Sequence, residues 1–302
     1  MPRALIEKID KLRKEKDAVI LVHNYQLGEV QDIADHCGDS LELSRIAARS
    51  PKKIILFCGV HFMAETASIL CPDKKVLIPD PQAGCPMANM ITAQDVRELR
   101  ERHPDAVVIG YVNTSADVKA ELDICCTSTN AVDIVSKVDP HKEVIFVPDK
   151  YLGDFVSKKT GRRLILWDGY CPTHVKITPE DIVKQLRQHP KAKIMVHPEC
   201  RPEVVEMADV ALSTGKMCVY AKQSPAKEFI VGTEVGIIHR LSKDNPGKKF
   251  YPASEHGVCP NMKRTNLEKV LWSLEEEKYE VRVSQDVRRR AIAAIDKMLE
   301  MV

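Results

Sequence analysis

Three cysteines of this chain recur at nearly equal intervals, and a proline follows each of them. Cys85 lies in AGCPMAN, Cys171 in GYCPTH and Cys259 in GVCPNM, with gaps of 86 and 88 residues. Thiolates that converge on one point select soft metals: zinc, copper(I) or iron-sulfur clusters. The spacing therefore predicts a metal site to which each of three similar units contributes one cysteine.

The other seven cysteines lack this regular spacing. The chain has ten cysteines and no CxxC pair, which argues against a zinc ribbon or a thioredoxin-type site. Cys71 also precedes a proline, but it falls outside the repeat, so a Cys-Pro pair alone carries little information. We predict packing roles for the remaining six, because buried free thiols usually behave as small apolar side chains. They are Cys37, Cys58, Cys125, Cys126, Cys200 and Cys218.

Two kinds of metal centre fit the three repeated cysteines. A four-iron cluster on three thiolates would keep one iron free of protein ligands, and that iron would act as a Lewis acid on a carboxylate or a leaving hydroxyl. A zinc site would instead recruit His174, three residues after Cys171, and complete a Cys3His set. The residues alone leave both alternatives open.

Polar residues repeat in the same register, directly after apolar strands. One aligned set is His23, Tyr111 and His197, and a second is Tyr25, Asn113 and Glu199. Any one of them would serve to cap a turn, but six in register favour a polar pocket at the carboxyl ends of parallel strands. Glu199 is the carboxylate of the six and is the candidate general acid/base.

Hydroxyl side chains also recur, just ahead of predicted helices. They are Ser40, Ser128, Ser213 and Thr214. Free backbone N–H groups at a helix start bind carboxylate or phosphate, so these hydroxyls are candidates for binding an anionic substrate. The alternative is plain N-capping, and one residue can do both.

The elements that must position these residues repeat as well. Three segments read as helix, turn and strand, with Thr92 and Thr178 at predicted N-caps. The strands AVILV, AVVIG and AKIMV are continuous apolar runs, which is typical of strands buried on both faces of a parallel sheet. We predict an α/β protein of three similar parallel-sheet α/β/α domains around a pseudo-threefold axis. The predicted units are 1–85, 86–171 and 172–274, with the tail 275–302 packing back on the first unit.

The composition of the chain indicates which classes of partner the protein is not expected to bind. The 302 residues are 44% hydrophobic and 5% aromatic, with 45 Lys+Arg against 43 Asp+Glu. A nucleic-acid or anionic-membrane partner would require a basic excess, so we expect neither. The start of the sequence reads as a charged amphipathic helix and not as a signal peptide, and no apolar run approaches a membrane span, so a cytoplasmic location is expected.

Several segments together resemble the quinolinate synthase family across nearly the whole chain. They are VHNYQ, DSLELSR, GCPMA, GYVNTSA, TSTNA, GYCPTH, HPEC, STGKM and GVCPNMK. The resemblance implies three α/β domains and a [4Fe-4S] cluster on Cys85, Cys171 and Cys259. It implies condensation of iminoaspartate with dihydroxyacetone phosphate to quinolinate, with loss of phosphate and water, in de novo NAD biosynthesis. A transient partner would be the enzyme that produces iminoaspartate.

The resemblance also implies roles for individual residues. Glu199 matches the family's acid/base glutamate and Tyr25 its catalytic tyrosine, and a histidine such as His23 would share in proton transfer. The implied substrate contacts are His23, Ser40, Tyr111, Asn113, Ser128, His174, His197, Glu199 and Thr214, with Ser213 adjacent.

Two other functions compete with this one. A diphthamide-synthesis-type iron-sulfur enzyme would have a similar ring of three units with one cysteine each, but it would have no need of the HNYQ and HPE segments. A non-catalytic metal-binding sensor would not need so many His, Tyr and Glu side chains near the metal.

Overall fold

The chain folds into three four-stranded sheets whose strands are all parallel, as seen in a computed structural model that describes residues 2–301. The strand order is the same in each sheet, with the first strand of the unit between the second and the third and the fourth at the edge. The first sheet contains β1 (Ala18–His23), β2 (His36–Gly38), β3 (Ile54–Cys58) and β4 (Lys75–Leu77). The second contains β5 (Val107–Tyr111), β6 (Ile124–Cys126), β7 (Val144–Val147) and β8 (Ile165–Leu166). The third contains β9 (Lys193–Val196), β10 (Val210–Ala211), β11 (Glu228–Gly232) and β12 (Lys249–Pro252). The predicted class, three similar parallel-sheet α/β units, is confirmed.

Helices flank the sheets, and in residues 2–301 they number 14. The first unit carries α1 (Pro2–Glu15), α2 (Gly28–Asp32), α3 (Ser40–Arg49) and α4 (His61–Leu70). The second carries α5 (Ala93–Arg102), α6 (Ala116–Lys119), α7 (Ala131–Lys137) and α8 (Lys150–Thr160). Next come α9 (Pro179–Gln188), α10 (Pro202–Glu206), α11 (Thr214–Gln223), α12 (Ile237–Asp244), α13 (Leu267–Glu276) and α14 (Gln285–Glu300). Short 3-10 turns at Met87–Met90, His174–Lys176 and Met262–Arg264 follow the three repeated cysteines.

The helices that begin the second and third units start where the sequence predicts. Thr92 and Thr178 each accept a hydrogen bond from the N–H three residues on, and an aspartate there binds back, so both predicted N-caps are confirmed as capping boxes. Asn266 caps α13 by accepting the N–H of Lys269.

An aspartate repeats beside the first strand of every sheet. Asp35, Asp123 and Asp209 accept the backbone N–H of Ile20, Val108 and Ile194, each at 2.8 Å. The carboxylate thus satisfies a strand N–H where the ladder to the short neighbouring strand has not yet begun. The nearly equal spacing of these aspartates is visible in the sequence, but the strand pairing is needed to show what they do.

The end of the chain packs on two units. α13 packs against α1 and β3, and residues 279–281 pair antiparallel with β4 through a bridge between Leu77 and Glu280. α14 packs against β6, α6 and α4, and so contacts the second unit as well as the first. The predicted domain boundaries stay a prediction. The packing shows that α13, assigned by sequence order to the third unit, has its partners in the first.

Within residues 2–301, no helix has the length and apolar character that crossing a bilayer requires.

We predict that Asp209→Ala lowers the free energy of unfolding by about 1–2 kcal/mol, because it leaves the N–H of Ile194 without its acceptor. Urea titration followed by circular dichroism measures the change. Asp105→Ala, at an exposed position, is the control and should lie within about 0.5 kcal/mol of the parent. Equal stabilities for the two variants would contradict the role given to the aspartate.

Candidate functional site

The carboxyl ends of strands from all three sheets meet at one cavity. His23 ends β1, Tyr111 ends β5 and His197 follows β9 directly. Of the 14 predicted site residues, all except Ser213 line this cavity. They are His23, Tyr25, Ser40, Cys85, Tyr111, Asn113, Ser128, Cys171, His174, His197, Glu199, Thr214 and Cys259. The structure therefore brings together residues that are up to 236 positions apart, from His23 to Cys259.

Glu199 is the centre of the polar network. Its side chain is 4% exposed, and its Oε1 accepts a hydrogen bond of 2.5 Å from the phenol of Tyr111. Nδ1 of His174 lies 2.8 Å from the other carboxylate oxygen, Oε2. His197 stacks on His174 with ring centroids 4.8 Å apart, and its Nε2 lies 3.1 Å from Oγ of Ser128. A buried carboxylate needs such partners, because an isolated buried charge is costly.

Tyr25 joins this network from the first unit. Its hydroxyl lies 2.6 Å from Oγ1 of Thr233 and 3.3 Å from Nε2 of His174. Thr233 also lies 2.8 Å from Nε2 of His174. A chain of polar contacts therefore runs from Tyr25 through His174 to Glu199. Sequence reasoning missed Thr233, which directly follows β11 and has no polar counterpart in the register used to find the others.

The surroundings shift the pKa values of the ionisable groups. For Glu199, burial opposes ionisation, but His174, His197 and the Tyr111 hydroxyl outweigh it and hold the pKa well below its usual range. Burial lowers the pKa of both His23 and His197 to about 3, so these imidazoles are neutral at pH 7. Burial and the charge of Glu199 raise the pKa of Tyr25 and of Tyr111 well above 10. The cavity thus combines an ionised carboxylate with neutral imidazoles and protonated phenols.

The three repeated cysteines are half-buried in the cavity wall and pack against one apolar core. Burial raises the pKa of all three thiols, that of Cys85 to about 12. Backbone N–H groups two or three residues further on act in the opposite direction and favour the thiolate, from Met87 and Ala88 at Cys85 and from His174 at Cys171. The amides of Asn261 and Met262 do the same at Cys259. N–H groups directed at thiolates are typical of iron-sulfur ligation, so the donor set fits such a cluster.

The zinc alternative has a partial counterpart in the structure. The ligand atoms of Cys171, His174 and Glu199 all lie within 4.8 Å of one another, which is close enough for one metal ion. His174, however, faces Glu199 with Nδ1 and Thr233 with Nε2, so both ring nitrogens already have polar neighbours. This placement favours His174 as a polar link between Thr233 and Glu199 over a role as fourth zinc ligand.

The predicted hydroxyl residues divide into two groups. Ser213 lies behind the cavity wall, caps α11 by accepting the N–H of Lys216, and lies 2.8 Å from Oγ1 of Thr129. Asp39 rather than Ser40 caps α3, so the hydroxyl of Ser40 faces the cavity without a capping role. Ser128 lies three residues ahead of α7 and contacts His197. Capping thus explains Ser213, whereas Ser40, Ser128 and Thr214 line the space a ligand would fill.

The cysteines outside the repeat lie elsewhere. Cys58, Cys71, Cys125, Cys126 and Cys200 are buried, and Cys37 and Cys218 are half-buried. Cys71 donates to the carbonyl oxygen of Ala47 at 3.2 Å, in the core of the first unit. Asp39, Thr129 and Glu234, which the sequence reasoning did not select, line the cavity as well.

The fold and the cavity define an α/β protein of three parallel-sheet units with a pocket suited to proton transfer on a small polar ligand. The sequence profile of the family described as "Quinolinate synthetase A protein" matches residues 7–300. The chain belongs to this quinolinate synthetase A family.

Curated relatives support the family assignment over the full length of the chain. The chain is 55% identical over 303 residues to the quinolinate synthase of Dehalococcoides mccartyi strain CBDB1, with 100% of both chains covered. It is 55% identical over 295 residues to the quinolinate synthase of Methanosarcina barkeri strain Fusaro, covering 98% of this chain and 97% of that one. The quinolinate synthase of Thermodesulfovibrio yellowstonii is 50% identical over 303 residues.

We predict that Tyr111→Phe raises the pKa of Glu199 by about one pH unit or more, because the phenol donates its hydrogen bond to the ionised carboxylate. Infrared difference spectra that follow the carbonyl band of the protonated carboxyl during an acid titration measure this pKa. Glu199→Gln assigns the band, since it removes the titrating group. A midpoint identical to that of the parent protein would contradict the coupling.

Proposed function

We propose that the chain is a quinolinate synthase that condenses iminoaspartate with dihydroxyacetone phosphate, releasing phosphate and water, in de novo NAD biosynthesis. The observation that carries the proposal is Glu199 itself, a buried carboxylate held between Tyr111 and His174 in a cavity that three cysteines also line. The names of the full-length relatives support it.

Cys85, Cys171 and Cys259 would hold a [4Fe-4S] cluster. A cluster on three thiolates supplies a Lewis acid through the iron that lacks a protein ligand. The remaining chemistry falls to side chains of the cavity wall, which bind the substrates and move protons.

Substrate binding would use the hydroxyls of the cavity wall. Iminoaspartate carries two carboxylates and dihydroxyacetone phosphate carries a phosphate, and both kinds of anion bind hydroxyls and free N–H groups at helix starts. Ser40 begins α3 and Thr214 begins α11, and both face the cavity. Asn113 Oδ1 is buried with no protein partner among the described residues, so it is free to accept a hydrogen bond from a substrate N–H or hydroxyl. His23 and His197, neutral at pH 7, can do likewise.

Proton transfer would centre on Glu199. Its lowered pKa keeps the carboxylate ionised in the free protein, so the group is in the form that can accept a proton from a bound intermediate. Tyr25 keeps its proton at neutral pH and can donate it, and its contact with His174 connects it to Glu199. Both dehydration and the ketose-to-aldose shift need a donor and an acceptor on the same ligand.

The proposed location is the cytoplasm. The proposed partners are the two small substrates and, transiently, the enzyme that makes iminoaspartate. The proposal has no place for nucleic acid or membrane.

Anaerobic purification followed by metal analysis and a quinolinate assay tests the proposal. About four irons per chain and quinolinate from the two substrates are expected. One zinc and no iron per chain would contradict the proposed cluster. An iron-loaded protein that forms no quinolinate would contradict the proposed reaction. Cleavage of S-adenosylmethionine by the loaded protein would point instead to the diphthamide-type chemistry.

We predict that Cys171→Ser loses the iron and the activity together, because two thiolates hold a cluster poorly. Colorimetric iron analysis and the visible absorption of the anaerobic protein measure the loss. Cys71→Ser is the matched control, another Cys-Pro position whose thiol contacts only protein in the core, and it should keep its iron. Full iron content in Cys171→Ser would contradict the assigned ligand.

We predict that Glu199→Gln keeps the iron but lowers kcat by roughly 10²–10⁴-fold, the usual cost of losing a general acid/base group. Glutamine fills the same space and cannot take a proton. Iron content and kcat are measured on one preparation, so that cluster loss is not mistaken for a catalytic effect. Undiminished turnover would show that Glu199 is not the acid/base group.

A further inference from the structure

A partly buried ion pair lies beside the third cysteine. Glu234 is 0% exposed and lies just beyond β11. Its Oε1 accepts the backbone N–H of Cys259 at 3.1 Å, and its Oε2 accepts that of Gly236 at 2.7 Å. Nζ of Lys263 lies 2.8 Å from Oε1 and 3.0 Å from Oε2. The carboxylate therefore has partners for both oxygens, as a buried charge requires.

Lys263 extends the same contact to the first unit. Its Nζ donates a second hydrogen bond to the backbone carbonyl of Tyr25. Its backbone N–H donates to the carbonyl of Cys259 at 3.3 Å. Both backbone groups of Cys259 are thus bound to the Glu234–Lys263 pair, and the pair is bound to the residue that carries the phenol of the site.

Gly236 shows how closely these groups approach one another. A Cβ atom there would lie 2.7 Å from Nζ of Lys263, 2.7 Å from the carbonyl oxygen of Tyr25 and 2.8 Å from Oε2 of Glu234. Real Cβ atoms essentially never come that close, and the oxygen of Tyr25 belongs to the backbone. Glycine is therefore required for the three groups to meet, which shows that the contact is built into the fold.

We propose that Glu234 and Lys263 are positioning residues that hold the backbone of Cys259 and that of Tyr25 at a fixed separation across the first and third units. The role rests on the proposed function, since that function gives Cys259 and Tyr25 their tasks. The pair acts through these two residues, and it ties the placement of a cluster ligand to the placement of a proton donor.

Amide hydrogen exchange measured by mass spectrometry on the anaerobically purified protein tests the pair directly. Glu234→Gln and Lys263→Met should each speed exchange in the peptide that contains Cys259 by about tenfold or more, because the charged acceptor or its partner is gone. Lys16→Met is the matched control. Lys16 also pairs with a carboxylate, that of Glu277 at 2.8 Å, and donates to the backbone carbonyl of Glu275. Its side chain is 23% exposed against 20% for Lys263, and its loss should leave the peptide that contains Cys259 unchanged. Unchanged exchange in both test variants would overturn the proposal.

Kinetics and iron release separate positioning from general destabilisation. In Lys263→Met we expect kcat to fall by about ten- to hundredfold with KM within about threefold, as for a misplaced catalytic group. Release of iron to a chelator should be faster, since Cys259 is held less firmly. The double variant should match the single variants, because either change breaks the same unit. Additive effects, or a shift in KM alone, would overturn the proposal.

Gly236→Ala provides a test that keeps both charges. Its methyl group should force the ion pair and the Tyr25 carbonyl apart and give the same exchange and kinetic changes, even if Glu234→Gln fails to fold. Wild-type behaviour in Gly236→Ala would count against the proposal. The exchange readout needs no product, so a protein that forms no quinolinate would refute the proposed reaction and still report on the pair.

Discussion

The buried charge of Glu199 is the constraint on which the arrangement of the units depends. Moving a carboxylate out of water costs of the order of several kcal/mol, so its partners must be in place when the protein folds. They come from different units, with Tyr111 from the second sheet and His174 and His197 from the third. Tyr25 of the first joins through His174 and Thr233. A shift of the second unit against the third would remove the hydrogen bond that Tyr111 donates to that charge.

The three units share their scaffold but differ where the chemistry is. The aspartates at 35, 123 and 209 do the same task beside each first strand, and 3-10 turns follow each repeated cysteine. At the strand ends, in contrast, equivalent positions carry His, Tyr and His, then Tyr, Asn and Glu. Of these six positions, that of Glu199 carries the carboxylate, and its neighbours favour its ionised form.

The segment after the third cysteine joins the last unit to the first. Its 3-10 turn supplies Lys263, which contacts Tyr25, and α13 then packs on α1 and β3. The segment that carries Cys259 is therefore held to the first unit in two places. Lys263 holds it at the cavity, and α13 holds it at α1 and β3. The segment also explains why α13 has its packing partners in the first unit. In chain order α13 corresponds to α5 and α9, each of which begins a new unit. After the third unit, however, the chain returns to the first unit, and α13 packs there.

The sequence by itself determined the α/β class, the threefold register, the three cysteines and the polar residues at the strand ends. These follow from hydrophobic periodicity and from spacing, which are local properties repeated along one chain. Only the tertiary structure decided that Thr233 contacts Tyr25, that Ser213 caps a helix while Ser40 faces the cavity, and that Lys263 reaches the Tyr25 carbonyl. Such contacts join residues up to 238 positions apart and depend on how rigid units pack, which no periodic pattern encodes.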